Sequence, residues 1–482
     1  MAKTKSVKLN MVMNSILTMS SIIFPLITFP YISRILLPTG TGKVNFVYSV
    51  VNYFSMFAQL GIPTYGIRAC AKVRDDRLEL SRIVHELLFI NLFTCLITYI
   101  VFLISIFSID RLHVDFGLFL IMGISILLNA IGVEWLYKAL EQYKYITFRS
   151  VAFKLIALIS MFLFVHNQGD YLIYGFITIF AASASNILNF INLRKVIYLK
   201  KIGRYDLKRH LRLVLVFFAM SIATTIYTNL DNVMLGFMKD DEQVGFYSAA
   251  VKIKNLLISL VTSASAVLLP RTSYYIDKGM KKEFNQLIRK TMHFVLLLSF
   301  PLCIYFSIFA KESIVFLSGD AFQGSINPMI IIMPTLVFCG TTNVIGIQLM
   351  VPLGLEKNVL YSEIAGAVTD LFLNLMFIPK LGASGAALGT LVAEIVVLVW
   401  QCLSIKKYNI KVFSETPLAM VIFTCVVCSI TSFWIKYAEL TEIIKLLISS
   451  IIFFGIYTFV FYLRKDSIII ATFSEVSRRI KK

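Results

Sequence analysis

Long apolar runs recur along almost the whole chain, and short segments rich in Lys and Arg separate them. An α-helix rises about 1.5 Å per residue, so about 20 apolar residues cross a hydrocarbon core of roughly 30 Å. A window of about 19 residues predicts about 14 spans in an all-α integral membrane protein. Their approximate centres are residues 23, 55, 96, 126, 157, 183, 224, 258, 299, 340, 369, 395, 425 and 452. The fourth span, which ends in GVEWLYKAL, and the tenth, which Pro328 and Pro334 interrupt, have the weakest patterns.

Two neighbouring runs over residues 220–270 are joined by the acidic turn KDDEQ, a pattern that predicts a membrane helix hairpin. Placing Tyr247 on Tyr48 aligns this hairpin with another over about residues 22–65. In both places a basic segment follows. This spacing indicates an internal repeat of about 200 residues.

Composition agrees with a membrane location, because 58% of the residues are hydrophobic and the mean hydropathy is +0.80. Soluble globular proteins are nearer 45 to 50% apolar. The net charge of +19 comes from short clusters between apolar runs, with no basic groove that would favour nucleic acid. Thirty-five of the 46 Lys and Arg residues lie in segments at alternate ends of the spans. Positive residues near short loops stay cytoplasmic, so both termini are predicted to face the cytoplasm.

Motifs for catalysis, metal binding or redox chemistry are incomplete. TGTGKV at 39–44 lacks the first Gly and the final Ser or Thr of a phosphate-binding loop, and His85-Glu86 is followed by Phe89 where a zinc helix needs a second His. The seven cysteines lie almost entirely in apolar runs, where they are expected to be reduced packing residues. The sequence therefore predicts no enzyme, no metal site and no cofactor.

The second span carries a polar stripe, since residues at i, i+3, i+4 and i+7 share one face of a helix. The stripe consists of Asn45, Tyr48, Asn52, Ser55 and Gln59. The seventh, eighth and eleventh spans have similar faces, which include Thr224, Thr228, Asp231, Lys252, Asn255, Ser259, Glu363, Asp370 and Asn374. A charge at membrane depth costs roughly 2.5 to 3.5 kcal/mol unless it faces protein or water. Either these faces line a common aqueous cavity, or they bond helix to helix.

Three basic residues within spans are candidates for binding an anion. Arg34 follows Pro25 and Pro30 near the outer end of the first span, and a guanidinium can hold a phosphate through two hydrogen bonds. The alternative is that Arg34 anchors the helix at the interface. For Lys252 the alternative is an ion pair, and for Lys254 it is a side chain that extends to the interface.

Several segments, in this order, resemble one family: FPYISRILLPTGTGKVNFVYS, LDNVMLG with VGFYSAAVKI, and FIPKLGASGAALGTLVAE. Together they resemble the Wzx-type flippases, the polysaccharide-transporter branch of the multidrug/oligosaccharidyl-lipid/polysaccharide (MOP) exporter superfamily. The resemblance implies a MATE-like fold of two pseudo-symmetric six-helix bundles, residues 1–205 and 206–407. Residues 408–482 would add two helices and a basic cytoplasmic tail. It also implies that the chain moves oligosaccharide repeat units, linked to undecaprenyl pyrophosphate, across the bacterial cytoplasmic membrane by alternating access.

The same resemblance suggests roles for individual residues, since Arg34 matches the arginine of the family's first helix and Asp231 the acidic residue of its seventh. Substrate binding is expected at Arg34, Lys252, Lys254, Asn45, Tyr48, Asn52 and Gln59. Coupling to a proton or sodium ion is expected at Asp231, Glu363 and Asp370. Besides the lipid-linked substrate and membrane lipid, the implied partners are a polysaccharide polymerase and glycosyltransferases, and no nucleic acid is expected.

Four other functions stay open from the sequence. Two are related exporters, one of the peptidoglycan precursor lipid II and one of small molecules of the MATE type. A membrane-embedded glycan polymerase or ligase would need a large outward loop for its catalytic residues, and the outward loops here are short. The fourth is a scaffold in a glycan-assembly complex, which would tolerate neutral residues at the intramembrane charges.

Overall fold

The computed structural model describes residues 7–408, 410, 412–470 and 474, and within them the chain is almost entirely helical, without strands. The prediction of an all-α protein is confirmed. The α-helices are α1 Val7–Gln59, α2 Ile62–Lys72, α3 Arg77–Ser108, α4 Asp110–His113, α5 Phe116–Ile131, α6 Glu134–Ala139, α7 Tyr143–Phe164, α8 Tyr171–Ile179, α9 Ser185–Val196, α10 Lys208–Met238, α11 Asp241–Asp277, α12 Lys281–Ile308, α13 Ala310–Ser318, α14 Ile326–Ile332, α15 Thr335–Thr342, α16 Glu356–Leu381, α17 Ala383–Ile405, α18 Leu418–Phe433 and α19 Glu442–Leu463. π-Helical turns span Phe180–Ala184 and Asn343–Met350, and short 3₁₀ helices span Gln168–Asp170, Asp320–Ser325, Lys406–Tyr408 and Trp434–Tyr437.

Ten helices of the described chain are long and apolar enough to cross a membrane, or up to 12 if each of two bent pairs is one span. The predicted number of 14 stays a prediction. The predicted first and second spans form the single α1, which is broken at Leu37 (φ 58°, ψ 179°) just before Pro38. The weak fourth span corresponds to α5, whose 16 residues reach only about 24 Å. The weak tenth span is bent by 48° where Pro334 removes a backbone donor.

The chain divides into two compact units, the first ending at Gly245 and the second beginning at Phe246. In the first unit, α1 packs against α3, α5, α7 and α10. One apolar cluster gathers around Trp135 and Tyr137, and another around Ile32 and Met161. Large apolar side chains such as Phe93 (66% exposed) point away from the unit, as expected for a surface that faces lipid.

The second unit is built on close packing of α16 against α17 and of α18 and α19 against α12. At Gly385 a Cβ atom would lie 2.5 Å from the Phe377 carbonyl oxygen, so a glycine permits the close approach. Tyr305 of α12 donates a hydrogen bond to the Leu446 carbonyl at 2.9 Å and joins α19 to the unit. The predicted boundaries near residues 205 and 407 stay predictions, and in this structure α10 packs with the first unit.

Candidate functional site

A seam of amide and hydroxyl groups joins the polar stripe of α1 to α10 in the first unit. The Asn232 Nδ2 group donates to Ser49 Oγ at 3.3 Å, and Asn52 Nδ2 donates to Asn229 Oδ1 at 3.5 Å. Asn229 and Asn232 flank Asp231, which is only 8% exposed. Sequence reasoning selected Asp231 and overlooked both asparagines. The cluster TNLDN around the aspartate was the available signal.

The other predicted substrate-binding residues of this unit differ in exposure. Tyr48 is 38% exposed, and Asn45 and Gln59 are half-buried. Arg34 is exposed, and its Nη1 group donates to the Pro30 carbonyl of the same helix at 2.7 Å. The stripe thus presents partly accessible polar groups along α1. Hydrogen bonds near the middle of the stripe join α1 to α10.

An ionic cluster ties α1, α4, α10 and the start of α11 together at the end of the first unit that the charge pattern assigns to the outside. Arg111 Nε donates to the Gly236 carbonyl at 2.7 Å, and its guanidinium also bonds Asp115 at 3.4 Å and Asp241. Lys43 Nζ lies 2.8 Å from the other Asp115 oxygen. We call Lys43, Arg111, Asp115 and Asp241 the outer clasp. Local spacing in the sequence does not connect Lys43 or Arg111 with these partners, because Asp115 is 72 positions from Lys43 and Asp241 is 130 positions from Arg111.

A second cluster lies at the opposite end of the same unit, around the buried Glu86 of α3. Its carboxylate accepts hydrogen bonds from Arg209 Nη2 at 2.6 Å, His210 Nε2 at 2.8 Å and the Asp206 backbone N–H at 2.8 Å. Tyr65 OH lies 2.8 Å from the second ring nitrogen of His210. This inner cluster connects α3 to the start of α10 and to the segment before it.

In the second unit the predicted site residues form two groups. Lys254 and Glu394 both interact electrostatically with Cys339, and Glu394 also interacts with the half-buried Glu363. Sequence reasoning could not decide which way Glu394 faces. The structure buries its side chain in this unit, whereas Lys254 and Glu363 are half-buried.

The second group lies between α16 and α17. Asp370 (1% exposed) and Asn374 turn oxygen atoms toward Gly389, where an added Cβ would lie 2.9 Å from Asp370 Oδ1. Thr390, the next residue, shares a hydrogen bond of 3.0 Å with Tyr247. Lys252 is half-buried on α11. A cavity shared by the two units stays a prediction. The described residues contain no cluster of three or more His, Cys, Asp or Glu side chains suited to a metal ion.

Glu134, in the short α6 between two spans, pairs with Lys138 at 2.8 Å and with Arg149 at 2.9 Å. Burial on its own would raise the pKa of Glu134, but these two cations outweigh burial and leave the pKa below its ordinary value of 4.5. Lys154 also interacts with this carboxylate. The pH dependence expected for these ion pairs is that of the Glu134 carboxylate.

We expect the Glu134 ion pairs to stabilise the protein equally from pH 8 to about pH 5. A lowered folded-state pKa means that the contribution is complete above the unfolded pKa and is lost as the pH falls through the folded value. The measurement is the difference in thermal unfolding midpoint between the wild type and Glu134→Gln across this range and down to pH 3.5. A difference that disappears between pH 8 and pH 5 would contradict this assignment.

Many apolar helices in two units, with charged and amide side chains buried inside the spans, define a multi-pass membrane protein of the transporter class. The chain belongs to the polysaccharide biosynthesis protein family, whose sequence profile matches residues 7–276, more than half of its length. The MatE profile matches residues 217–376. These matches confirm the resemblance to the MOP superfamily that the motifs suggested.

Individual relatives agree with that membership. The chain is 27% identical over 402 residues to the "Putative O-antigen transporter" of Escherichia coli (strain K12), covering 81% of this chain and 95% of that protein. The lipid II flippase MurJ, solved in an inward closed conformation, is similar with a TM-score of 0.73 at 18% identity, covering 94% of this chain and 99% of the other. An inward-facing multidrug resistance MATE family transporter has a TM-score of 0.64 at 14% identity, covering 83% and 98%. At these identities the two solved structures establish a MOP-like fold and nothing further.

Proposed function

We propose that this protein is a flippase for oligosaccharide repeat units linked to undecaprenyl pyrophosphate, and that it serves the synthesis of a capsule or O-antigen. The observation that carries the proposal is the family match over residues 7–276 together with similarity to an O-antigen transporter over 95% of that protein's length. Buried charges in both units support it, because transport of a polar head group needs polar surface at membrane depth.

In this proposal the protein lies in a bacterial cytoplasmic membrane with both termini in the cytoplasm, and it opens alternately to each side. It makes and breaks no covalent bond, so it is not an enzyme. A polysaccharide polymerase and glycosyltransferases would act before and after it. Alternating access requires only that the substrate and a coupling ion favour different conformations.

The residues proposed to bind the charged head group are Arg34 of the first unit and Lys252 and Lys254 of the second, each considered within its own unit. Arg34 is exposed and presents a guanidinium that can bind a phosphate through two hydrogen bonds. The glycan would contact Asn45, Tyr48, Asn52 and Gln59, since hydroxyl and amide groups replace water around sugar hydroxyls. The lipid tail would stay in the bilayer.

A coupling proton or sodium ion would bind at Asp231, Glu363 or Asp370, with no other cofactor. Asp370 is the strongest candidate, because it is almost completely buried and its oxygen, like the amide oxygen of Asn374, faces Gly389 of the neighbouring helix. Carboxylate, amide and hydroxyl oxygens suit a small hard cation.

We expect Asp370→Asn to lower gradient-driven flipping at least ten-fold while the protein still folds, because the amide is nearly isosteric and lacks the charge that an ion would neutralise. The rate is measured in proteoliposomes with and without a proton or sodium gradient. The control is Asp277→Asn, the same change at an exposed position at the end of α11, which should leave the rate unchanged. If the Asp370→Asn protein responds to both gradients as the wild type does, Asp370 does not take part in ion coupling.

The function itself is tested by reconstituting the purified chain in proteoliposomes with a fluorescent oligosaccharide linked to undecaprenyl pyrophosphate. Flipping exposes the glycan to an impermeant lectin or periodate on the opposite side. Lipid II and a small cationic dye serve as the competing substrates of the lipid II flippase and MATE-type alternatives. Flipping of the oligosaccharide lipid supports the proposal, whereas transport of lipid II or the dye alone refutes it.

A further inference from the structure

A polar cavity of about 300 Å³ lies within the first unit, between the end of α5, α6, the π-helical turn before α9 and the end of α1. Its polar lining includes Gln59, Asn129, Glu134, Lys138 and Asn186. The charge pattern places this end of the unit on the cytoplasmic side. Ligand pockets in proteins start at about this volume.

The backbone that forms the cavity wall is strained. Between α5 and α6, Val133 has φ 37° and ψ 29°, a left-handed conformation that a β-branched residue rarely adopts. The preceding Gly132 is also required, because a Cβ there would lie 2.6 Å from the Asn186 amide carbon. Strain of this kind is kept where the surroundings impose it, and it concentrates at functional sites.

Hydrogen bonds hold the amide groups of the cavity wall in place. Asn186 Nδ2 donates to Asn129 Oδ1 at 3.0 Å, and the buried Asn189 donates to the Gly132 carbonyl at 2.7 Å. The Gln59 side chain has no hydrogen-bond partner among the residues that the structure describes. The cavity is therefore lined by the amides of Asn129 and Asn186, which a hydrogen bond holds in place, and by the amide of Gln59, which forms no hydrogen bond within the described residues.

These groups favour an uncharged ligand with many hydroxyls over an anion. Amides both donate and accept hydrogen bonds, which matches a hydroxyl group. The cations near the cavity, Lys138 and Arg149, already pair with Glu134 at 2.8 and 2.9 Å. An anion would have to compete with that carboxylate, whereas a sugar hydroxyl can donate to it.

We propose that this cavity is a saccharide subsite, which binds one neutral sugar ring of the lipid-linked substrate on the cytoplasmic side before translocation. The assignment rests on the proposed function and adds to it a site at the α5–α6 turn. Gln59 belongs to it as a specificity-determining residue. It is the one member of the predicted stripe that lines this cavity, whereas Asn52 belongs to the seam with α10.

Tryptophan fluorescence reports on the cavity, because Trp135 lines it while the other two tryptophans, Trp400 and Trp434, belong to the second unit. In the full-length protein, Trp400→Phe and Trp434→Phe leave Trp135 as the single reporter. The ligands are the lipid-linked saccharides extracted from the source cells, and the monosaccharides that acid hydrolysis releases from that extract. Inorganic pyrophosphate is the anionic probe.

We expect the extract and at least one released monosaccharide to change Trp135 fluorescence with saturation, and pyrophosphate to have no effect. Gln59→Leu should weaken the apparent affinity about five-fold, the usual consequence of losing one uncharged hydrogen bond. The matched control, Gln168→Leu on an exposed turn, should stay within two-fold of the parent. Because Gln59 has no partner among the described residues, its replacement is not expected to disturb folding, which the thermal midpoint checks.

Flipping measured in parallel separates this inference from the proposed function. If oligosaccharide lipids are flipped but neither the extract nor any released sugar alters Trp135, or if Gln59→Leu binds like the parent, the saccharide subsite is wrong and the flippase function stands. A response to pyrophosphate alone also overturns the subsite. If sugars bind with the expected loss in Gln59→Leu but no flipping occurs, the subsite is supported and the flippase function fails.

Discussion

Replacing Gly42 with Leu is expected to abolish transport and to lower the free energy of unfolding by about 3 kcal/mol. In the structure a Cβ on Gly42 would collide with the Asp241 carbonyl oxygen and would lie 2.9 Å from the Gly245 backbone nitrogen. Both obstacles are backbone atoms, so no rotamer change relieves the collision. The turn inside α1 and the start of α11 would be forced apart, and the outer clasp would separate with them.

Unfolding by SDS in mixed micelles measures the first effect and flipping in proteoliposomes the second. The matched control is Gly455→Leu, which also places Leu on a membrane helix but has open space within 4 Å of the new Cβ among the described residues. We expect this control to unfold and transport like the wild type. Wild-type stability and flipping in Gly42→Leu would show that this close approach is not part of the working protein.

Glu86→Gln is expected to cost about 3 kcal/mol of stability, because it leaves Arg209 and Arg82 near an uncharged group and replaces one of the two acceptor oxygens with an amide donor. Removing one member of a buried ion pair costs far more than removing an exposed one. The two arginines are partly exposed, so water can solvate their charges after the substitution. The loss of stability should therefore fall at the lower end of the range for buried pairs. The loss in free energy of unfolding is measured by SDS unfolding in mixed micelles.

Glu79→Gln is the matched control, since Glu79 lies on the same helix and pairs with the same Arg209 at 3.0 Å, but it is about one-third exposed. It should cost less than about 1 kcal/mol. In a double-mutant cycle, Arg209→Gln should destabilise the Glu86→Gln protein less than the wild type, because the two residues form one network. Equal losses from Glu79→Gln and Glu86→Gln would show that burial does not strengthen the inner cluster.

Long-range pairing explains why sequence reasoning overlooked the clasp and the inner cluster. Arg111 is 130 positions from Asp241 and Glu86 is 123 from Arg209, so no local spacing connects them. Asn129 and Asn186 were overlooked for a different reason. Neither lies on a polar face that the sequence predicts, and only the close approach at Gly132 reveals that they share a cavity.

The amino-acid order alone established that this is an all-α, multi-pass membrane protein and indicated its family. Hydropathy runs, basic clusters and motif order are local properties, which depend on the partition of each segment between water and lipid. It also located the polar stripe from Asn45 to Gln59, because helical periodicity assigns residues to one face. Which neighbour that face meets depends on how helices pack, and packing joins residues that are distant in the chain. Asn52 therefore bonds Asn229 while Gln59 lines a cavity, a distinction that only the tertiary structure decides.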